Sequence, residues 1–231
     1  MSIAQTPIVE STLITKKIVR KRSKGERTRE KILLAAIEVL SVNGIKGTTH
    51  RAIASQAELQ LSLTTYYFKD INELVQQAFQ LNSEYIRAKN DTVLEQAFHT
   101  LETIDKASLK DPMIKSELCE QLSSMTANYL FTNIQQEAKY LAVEQLMFIT
   151  VKVSPELRKL AYEHEESQLR PFTELATYFN KSDPNLDAQI MLTLFSQLQY
   201  SQLPLMEAER SIEPILEVTT KLLSWIMGLK N

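Results

Sequence analysis

Apolar residues recur at intervals of three and four along most of the chain, and no sustained two-residue alternation occurs, so the pattern predicts an all-α fold. From Arg27 to Asn43, the positions Ile32, Ala36, Val39 and Leu40 form one stripe, closed by Gly44 at the helix C-terminus. A short second helix is expected after Thr49, whose hydroxyl can cap it. A third is expected from near Gln60 to Phe68, with Thr64 and Phe68 facing inward at a spacing of four. A longer amphipathic segment runs from about Asp70 to Lys89 along Leu74, Ala78, Leu81 and Tyr85. Further helices are predicted near 91–107, 112–131, 134–153, 154–180, 186–205 and 211–228. Proline directly after a capping residue marks three of these starts, in Asp111-Pro112, Ser154-Pro155 and Asp183-Pro184. Pro171 lies inside a predicted helix and should kink it, because it removes a backbone donor.

Composition narrows the class. The 231 residues are 44% apolar and 23% charged, as expected of a globular protein with a real core. No apolar run approaches the roughly 18 uncharged residues of a membrane span, and the start lacks the order of a signal peptide, so the sequence predicts a cytoplasmic protein. The single cysteine, Cys119, has no intrachain partner and reads as a small buried apolar residue rather than a redox sensor. No Cys/His pair has zinc-finger spacing. The run His164-Glu165-Glu166 cannot converge on one ion, since successive helical residues point about 100° apart, and it reads as a solvated helix face. A Gly-x-Ser-x-Gly elbow, a phosphate-cradling glycine loop and a His-Glu-x-x-His pair are all missing, so neither catalysis, nor a cofactor, nor a metal is expected.

Charge changes the picture more. The chain carries a formal net charge of −2, but Met1–Lys69 holds 12 Lys+Arg against 5 Asp+Glu, and the remainder 14 against 23. The basic end is where a polyanion would bind. Residues 1 to about 25 contain Lys16, Lys17, Arg20, Lys21, Arg22 and Lys24 without apolar periodicity, and read as a flexible basic arm. Lys21, Arg22 and Lys24 are candidates for minor-groove contact. In the second helix His50 and Arg51 occupy the first turn, where the positive end of the dipole suits a phosphate. In the third, Ser62, Leu63, Thr65, Tyr66 and Tyr67 are left outward, a face of hydroxyls and rings that suits groove and phosphate contact.

The run Thr48-Thr49-His50-Arg51-Ala52-Ile53-Ala54, then Ala57, then Leu63-Thr64-Thr65-Tyr66-Tyr67-Phe68-Lys69-Asp70 resembles the DNA-binding signature of TetR-family transcriptional regulators. Ile32-Leu33-Leu34-Ala35-Ala36 and Leu40 match at the same offset, so the resemblance covers the first helix through the start of the fourth. It implies three parts: an arm over 1–25, a three-helix helix-turn-helix DNA-binding domain over 26–70, and a helical effector-binding and dimerisation domain over 71–231. It also implies DNA contact by Thr49, His50 and Arg51 from the second helix and by Leu61, Ser62, Leu63, Thr65, Tyr66 and Tyr67 from the third. Leu61 and Leu63 are candidates for thymine methyl groups, and the hydroxyls for phosphates or base edges. Two positions depart from the family pattern. Many relatives have a Gly-Val turn where this chain has Glu58-Leu59, and a lysine where it has Ile71; Lys69 is the candidate replacement for that phosphate contact.

The second half resembles the family through one phrase, Ser154-Pro155-Glu156-Leu157-Arg158, which follows a helix containing Tyr140, Leu141, Glu144, Met147 and Phe148. By that resemblance the helices 156–180 and 186–205 are a dimerisation pair. Leu192, Phe195, Leu198 and Gln199 recur at helical spacing there, with Leu186, Ile190 and Thr193 extending the surface; Leu186, Ile190, Thr193 and Leu198 are the interface candidates. Met113, Met125, Tyr129, Phe131, Tyr140, Met147, Phe148, Phe172 and Tyr178 are candidate walls of a site for a small hydrophobic or amphipathic effector. The expected function is a repressor that binds a palindromic operator as a homodimer, its two third helices about 34 to 36 Å apart, and that an effector releases. The alternative is a DNA-binding co-regulator or architectural protein without an effector.

Overall fold

The computed structural model describes residues 23–105, 107–150 and 155–229. Among these residues the chain forms nine α-helices, two short 3-10 turns and no strand. The helices are α1 (Lys24–Gly47), α2 (His50–Gln56), α3 (Leu61–Tyr67), α4 (Ile71–Glu102), α5 (Pro112–Gln136), α6 (Ala138–Thr150), α7 (Pro155–Ala176), α8 (Pro184–Gln202) and α9 (Glu213–Ile226).

Capping chemistry explains most of the boundaries. Ser23 accepts from the Glu26 backbone N–H at 3.1 Å and Glu26 accepts from the Ser23 N–H at 2.6 Å, a reciprocal box that starts α1 at Lys24. The sequence pattern extends the arm to about residue 25, so its last stretch is corrected to helix; Lys21 and Arg22 lie outside the described residues. Gly44 takes φ 61°, interrupting α1 where the pattern closes it, and a final turn then runs to Gly47. Asp111 and Asp183 cap α5 and α8 through the N–H groups of Met113 and Leu186, each with proline in the first turn. Of the Ser154-Pro155 start, only Pro155 falls among the described residues. Helix α7 continues through Pro171 to Ala176.

One boundary is wrong in the sequence reading. The predicted helices ending at Lys89 and beginning at 91 are a single 32-residue helix, α4. The polar stretch Lys89-Asn90-Asp91 looks like a break, but Asn90 turns inward and bonds the side chains of Gln168 and Tyr129. Its amide therefore does not compete with the helix backbone.

Two apolar cores result. The first joins α1 to α4 with α6 and the start of α7: Ile32, Ala36, Leu40, Ile53, Phe68, Leu74 and Phe79 pack with Val143, Met147 and Leu157. The second gathers the end of α4 with α5, α8 and α9 around Leu101, Leu118, Leu122, Ile134, Met191, Phe195 and Leu222. Each fully buried Leu, Ile or Phe contributes roughly 1.5 to 3 kcal/mol. The N-terminal helices thus share their core with α6 and the start of α7.

Candidate nucleic-acid interface and interior chamber

The N-terminal head is built to hold α3 rigidly. Thr64 and Phe68, fully buried at 0% and 1% exposure, plant α3 on the core at the spacing of four that the sequence shows. The guanidinium of Arg29 lies 5.3 Å above the Phe68 ring and also bonds Gln77, tying α1 to the end of α3 and to α4. Thr49 caps α2, its hydroxyl accepting from Ala52 N–H at 3.1 Å. Asp70 caps α4, accepting from Glu73 N–H at 2.9 Å, and Glu73 returns to accept from Lys69 N–H at 2.7 Å.

The turn between α2 and α3 explains the first departure from the family pattern. Glu58 stands at φ 51°, in the left-handed region, at the position where the pattern that the sequence resembles has glycine. Its N–H donates to Ser55 O at 3.1 Å and the Leu59 N–H donates to Ala54 O at 2.9 Å, the paired bonds of a Schellman cap. The geometry of a glycine turn is kept without the glycine.

The candidate reading residues divide into three groups. Thr49, Arg51, Leu61, Ser62, Thr65, Tyr66 and Lys69 are exposed, Tyr66 at 79%. His50 and Leu63 are half-buried, and Nδ1 of His50 is enclosed with no partner among the described residues. Tyr67 leans against the head instead of standing clear of it. Its ring meets Tyr66 edge-on at 5.0 Å and its body packs on the first core. A Cβ at Gly25 would stand 3.3 Å from its hydroxyl, so that glycine admits the close approach. The exposed face of α3 carries no charge, and Arg51 and Lys69 flank it in sequence.

The second half encloses a chamber among α4, α5, α7, α8 and α9. Its larger part, about 70 Å³, is walled by Met125, Phe172, Phe179, Met191, Phe195 and Leu223 among others. Phe172 and Phe195 meet edge-on at 5.8 Å. A smaller polar part of about 30 Å³ lies beyond a layer of Asn90, Tyr129, Gln168, Ser196 and Gln199, which lines both. Its far wall includes Glu144, Tyr140, Lys89 and Glu137.

Asn90, Tyr129 and Gln168 of that layer belong to a continuous hydrogen-bonded chain. Tyr129 donates to Asn90, and Asn90 donates to Gln168 Oε1 at 3.0 Å. Gln168 donates to Glu144 Oε1 at 2.9 Å, and Tyr200 donates to Glu144 Oε2 at 3.0 Å. His164 Nε2 lies 2.6 Å from the same Oε1. Burial pushes the Tyr129 phenol up to about 12. Burial, and then the negative charge of Glu144, push the Tyr200 phenol further up. His164 is 3% exposed, which corrects the reading of His164-Glu165-Glu166 as a solvated face: the two glutamates are exposed, whereas the imidazole turns into the domain.

Of the nine predicted effector-site residues, Met125, Tyr129 and Phe172 line the larger part and Tyr140 the smaller. Met113 stands in solvent at 73% exposure, on the first turn of α5. Met147 and Phe148 belong to the first core, and Phe131 and Tyr178 pack on the second without lining the chamber. The sequence reading misses Asn90, Gln168, Glu144 and Gln199, because polar residues at helical spacing look like solvated positions. Among the interface candidates Leu186, Ile190 and Thr193 are exposed on one face of α8, while Leu198 packs inward on the second core. Cys119 is buried, its thiol pushed up by burial. Among the described residues no group of three or more His, Cys, Asp or Glu could hold a metal ion, and no helix is long and apolar enough to cross a membrane.

No protein-family model and no curated protein matches the sequence. Solved structures do match the fold. One is a candidate TetR-family transcriptional regulator from Mesorhizobium loti, 16% identical, covering 90% of this chain and 98% of that one with a TM-score of 0.64. A TetR-family member from Streptomyces coelicolor is 23% identical over 84% of this chain and 97% of that one, with a TM-score of 0.56. The multidrug-binding protein EbrR, complexed with malachite green, is 23% identical over 84% and 96%, with a TM-score of 0.53.

Proposed function

We propose that this chain, whose fold is that of the TetR-family transcriptional regulators, is a sequence-specific DNA-binding regulator that acts as a small-molecule-responsive repressor. The observation that carries the reading is the outer face of α3. Seven residues of helix are anchored by Thr64 and Phe68 and expose Leu61, Ser62, Thr65 and Tyr66 without a charge. An uncharged, rigidly held surface of hydroxyl, methyl and ring groups has little to gain from water and much to gain from base edges and phosphates. Arg51 and Lys69 supply the sequence-independent attraction.

The exposed apolar stripe Leu186, Ile190 and Thr193 on α8 supports a homodimer, which would present two α3 helices to successive major grooves of a palindromic operator. The chamber supports the effector. It sets an apolar part beside a polar one, the usual make-up of a small-molecule site. Its present volume is far below the roughly 300 to 1,000 Å³ of such sites, so an effector must spread the helices around it. A neighbour of the same fold, the multidrug-binding protein EbrR complexed with malachite green, supports a small-molecule ligand. Release from DNA then follows if the enlarged form holds the two heads at a spacing the operator cannot match.

The test is fluorescence anisotropy of the purified chain on the DNA upstream of its own gene. Binding should need both half-sites of a palindrome and weaken steeply with salt. Binding that ignores sequence, or no binding, overturns the reading.

A further inference from the structure

The polar part of the chamber has an unusual charge balance. Glu144, 5% exposed, is a buried carboxylate whose partners are the Tyr200 hydroxyl, the Gln168 amide and the His164 imidazole. Among the described residues no lysine or arginine pairs with it: Lys89 pairs with Glu137 and Lys139 with Glu38. Of its three partners only the His164 imidazole, 2.6 Å away, can carry a positive charge, and only when protonated, so a buried carboxylate without a permanent counter-charge favours a fixed cation that can reach it.

The same corner is rich in aromatic faces, and it already receives ammonium groups. Tyr85 and Tyr140 stack with centroids 4.0 Å apart. The Lys89 ammonium lies 5.5 Å from the centroid of Tyr85 and 3.2 Å from Glu137, and the Lys139 ammonium lies 5.2 Å from the centroid of Tyr140. Lys89 is half exposed and reaches the corner from an open groove between α4 and α5, which Tyr129 and Met125 separate from the apolar part. Its side chain can swing outward into solvent, giving up the Glu137 and Tyr85 contacts that the incoming head would take over.

Taking the proposed effector response as the starting point, we propose that the effector is an amphipathic organic ammonium. Its head would sit between Glu144 and the Tyr85–Tyr140 pair, and its hydrocarbon body would lie between Phe172 and Phe195. The head takes the place of the Lys89 ammonium beside Glu137 and gives Glu144 a permanent positive charge in addition to the titratable His164. The body widens the apolar part, and the amide layer of Asn90 and Gln168 parts to let the two ends connect. A carboxylate head meets repulsion at the same place, and an alcohol gains a hydrogen bond without the charge.

The test is titration calorimetry of the full chain with decylammonium, decanol and decanoate, which share one chain length, below their aggregation limits. Decylammonium should bind about tenfold or more tightly than decanol, an increment of one charged contact, with decanoate weakest. Glu144→Gln keeps the shape but removes the charge, and should erase most of the preference for decylammonium over decanol. Lys89→Met, which vacates the ammonium position without touching Glu144, should tighten decylammonium binding and so tests the site even if the first variant folds poorly. Equal affinities for the three probes, no binding of any, or an unchanged preference in the folded Glu144→Gln chain overturns the proposal. Anisotropy on operator DNA without amphiphile separates the two readings: DNA binding with no ammonium preference removes this inference alone, whereas ammonium binding without DNA binding removes the regulatory reading and leaves the site.

Discussion

His164 and Glu144 face each other at 2.6 Å, Nε2 to Oε1, where α7 crosses α6 and both side chains are almost wholly enclosed. Removing one member of such a pair strands the other. Glu144→Ala leaves the imidazole, the Tyr200 hydroxyl and the Gln168 amide without their common acceptor, and should cost about 3 kcal/mol in urea unfolding. Glu144→Gln retains an acceptor and should cost clearly less. An alanine variant as stable as the original chain would mean that the network is solvated.

Glu58 offers the opposite sign. A non-glycine residue at φ 51° costs roughly 1 kcal/mol or somewhat more, and introducing glycine relieves that cost while adding freedom to the unfolded chain, which takes part of the gain back. Glu58→Gly should therefore raise stability by about 0.5 to 1 kcal/mol in the same assay, with the Schellman bonds kept. A loss of stability would show that the Glu58 side chain makes a compensating interaction.

On the reading face, Tyr66→Ala and Arg51→Ala should each weaken operator binding about tenfold or more, the effect of removing one base or phosphate interaction of about 1 to 3 kcal/mol. Circular dichroism and sedimentation should be unchanged, because Tyr66 and Arg51 are exposed. Altered helix content would assign them to packing instead.

Much of this head is legible in the sequence, and the reasons are local. Thr64 and Phe68 are separated by one helical turn, Thr49 precedes a short helix, and Gly44 ends a stripe; each signal acts within a few residues. The start of α1 is equally available in Ser23-Lys24-Gly25-Glu26, a capping box hidden by the lysines around it. The chamber is not legible in this way. Asn90, Glu144, His164 and Gln168 come from three helices and look individually like surface positions; only packing shows that they satisfy one another. Conversely, Met113 and Tyr178 look like cavity walls by type, and type alone does not say which side of a helix faces the void.

Alkaline pH should expose the same network. With its phenol at about 12 in the folded chain and near 10 when unfolded, Tyr129 favours the folded state fully below pH 10, and that contribution is lost as pH rises toward 12. Tyr200, Tyr85 and Tyr140 are shifted in the same direction and add to the loss. Urea midpoints measured from about pH 8 to 12 should fall steeply above 10, and Tyr129→Phe should flatten part of that fall.

Residues 1–22 carry five basic side chains and one acidic. Because Ser23 caps α1, a deletion that stops at residue 22 spares the head. It should lower operator affinity and reduce the slope of log affinity against log salt by about 1 for each phosphate that the arm neutralises. An unchanged slope would remove the arm from the interface.

The unbroken α4 has a mechanical meaning. At 1.5 Å per residue, its 32 residues make a rod of about 48 Å. Asn90, bonded at the chamber, and Ile71, next to the reading head, sit on it nearly 30 Å apart by the same rise. A rod of that reach converts angle into distance: a tilt of about 4° at Asn90 carries Ile71 through roughly 2 Å, enough to strain a hydrogen bond to a base edge. A helix broken at residue 90, as the polar stretch there suggests, would dissipate that tilt in its hinge.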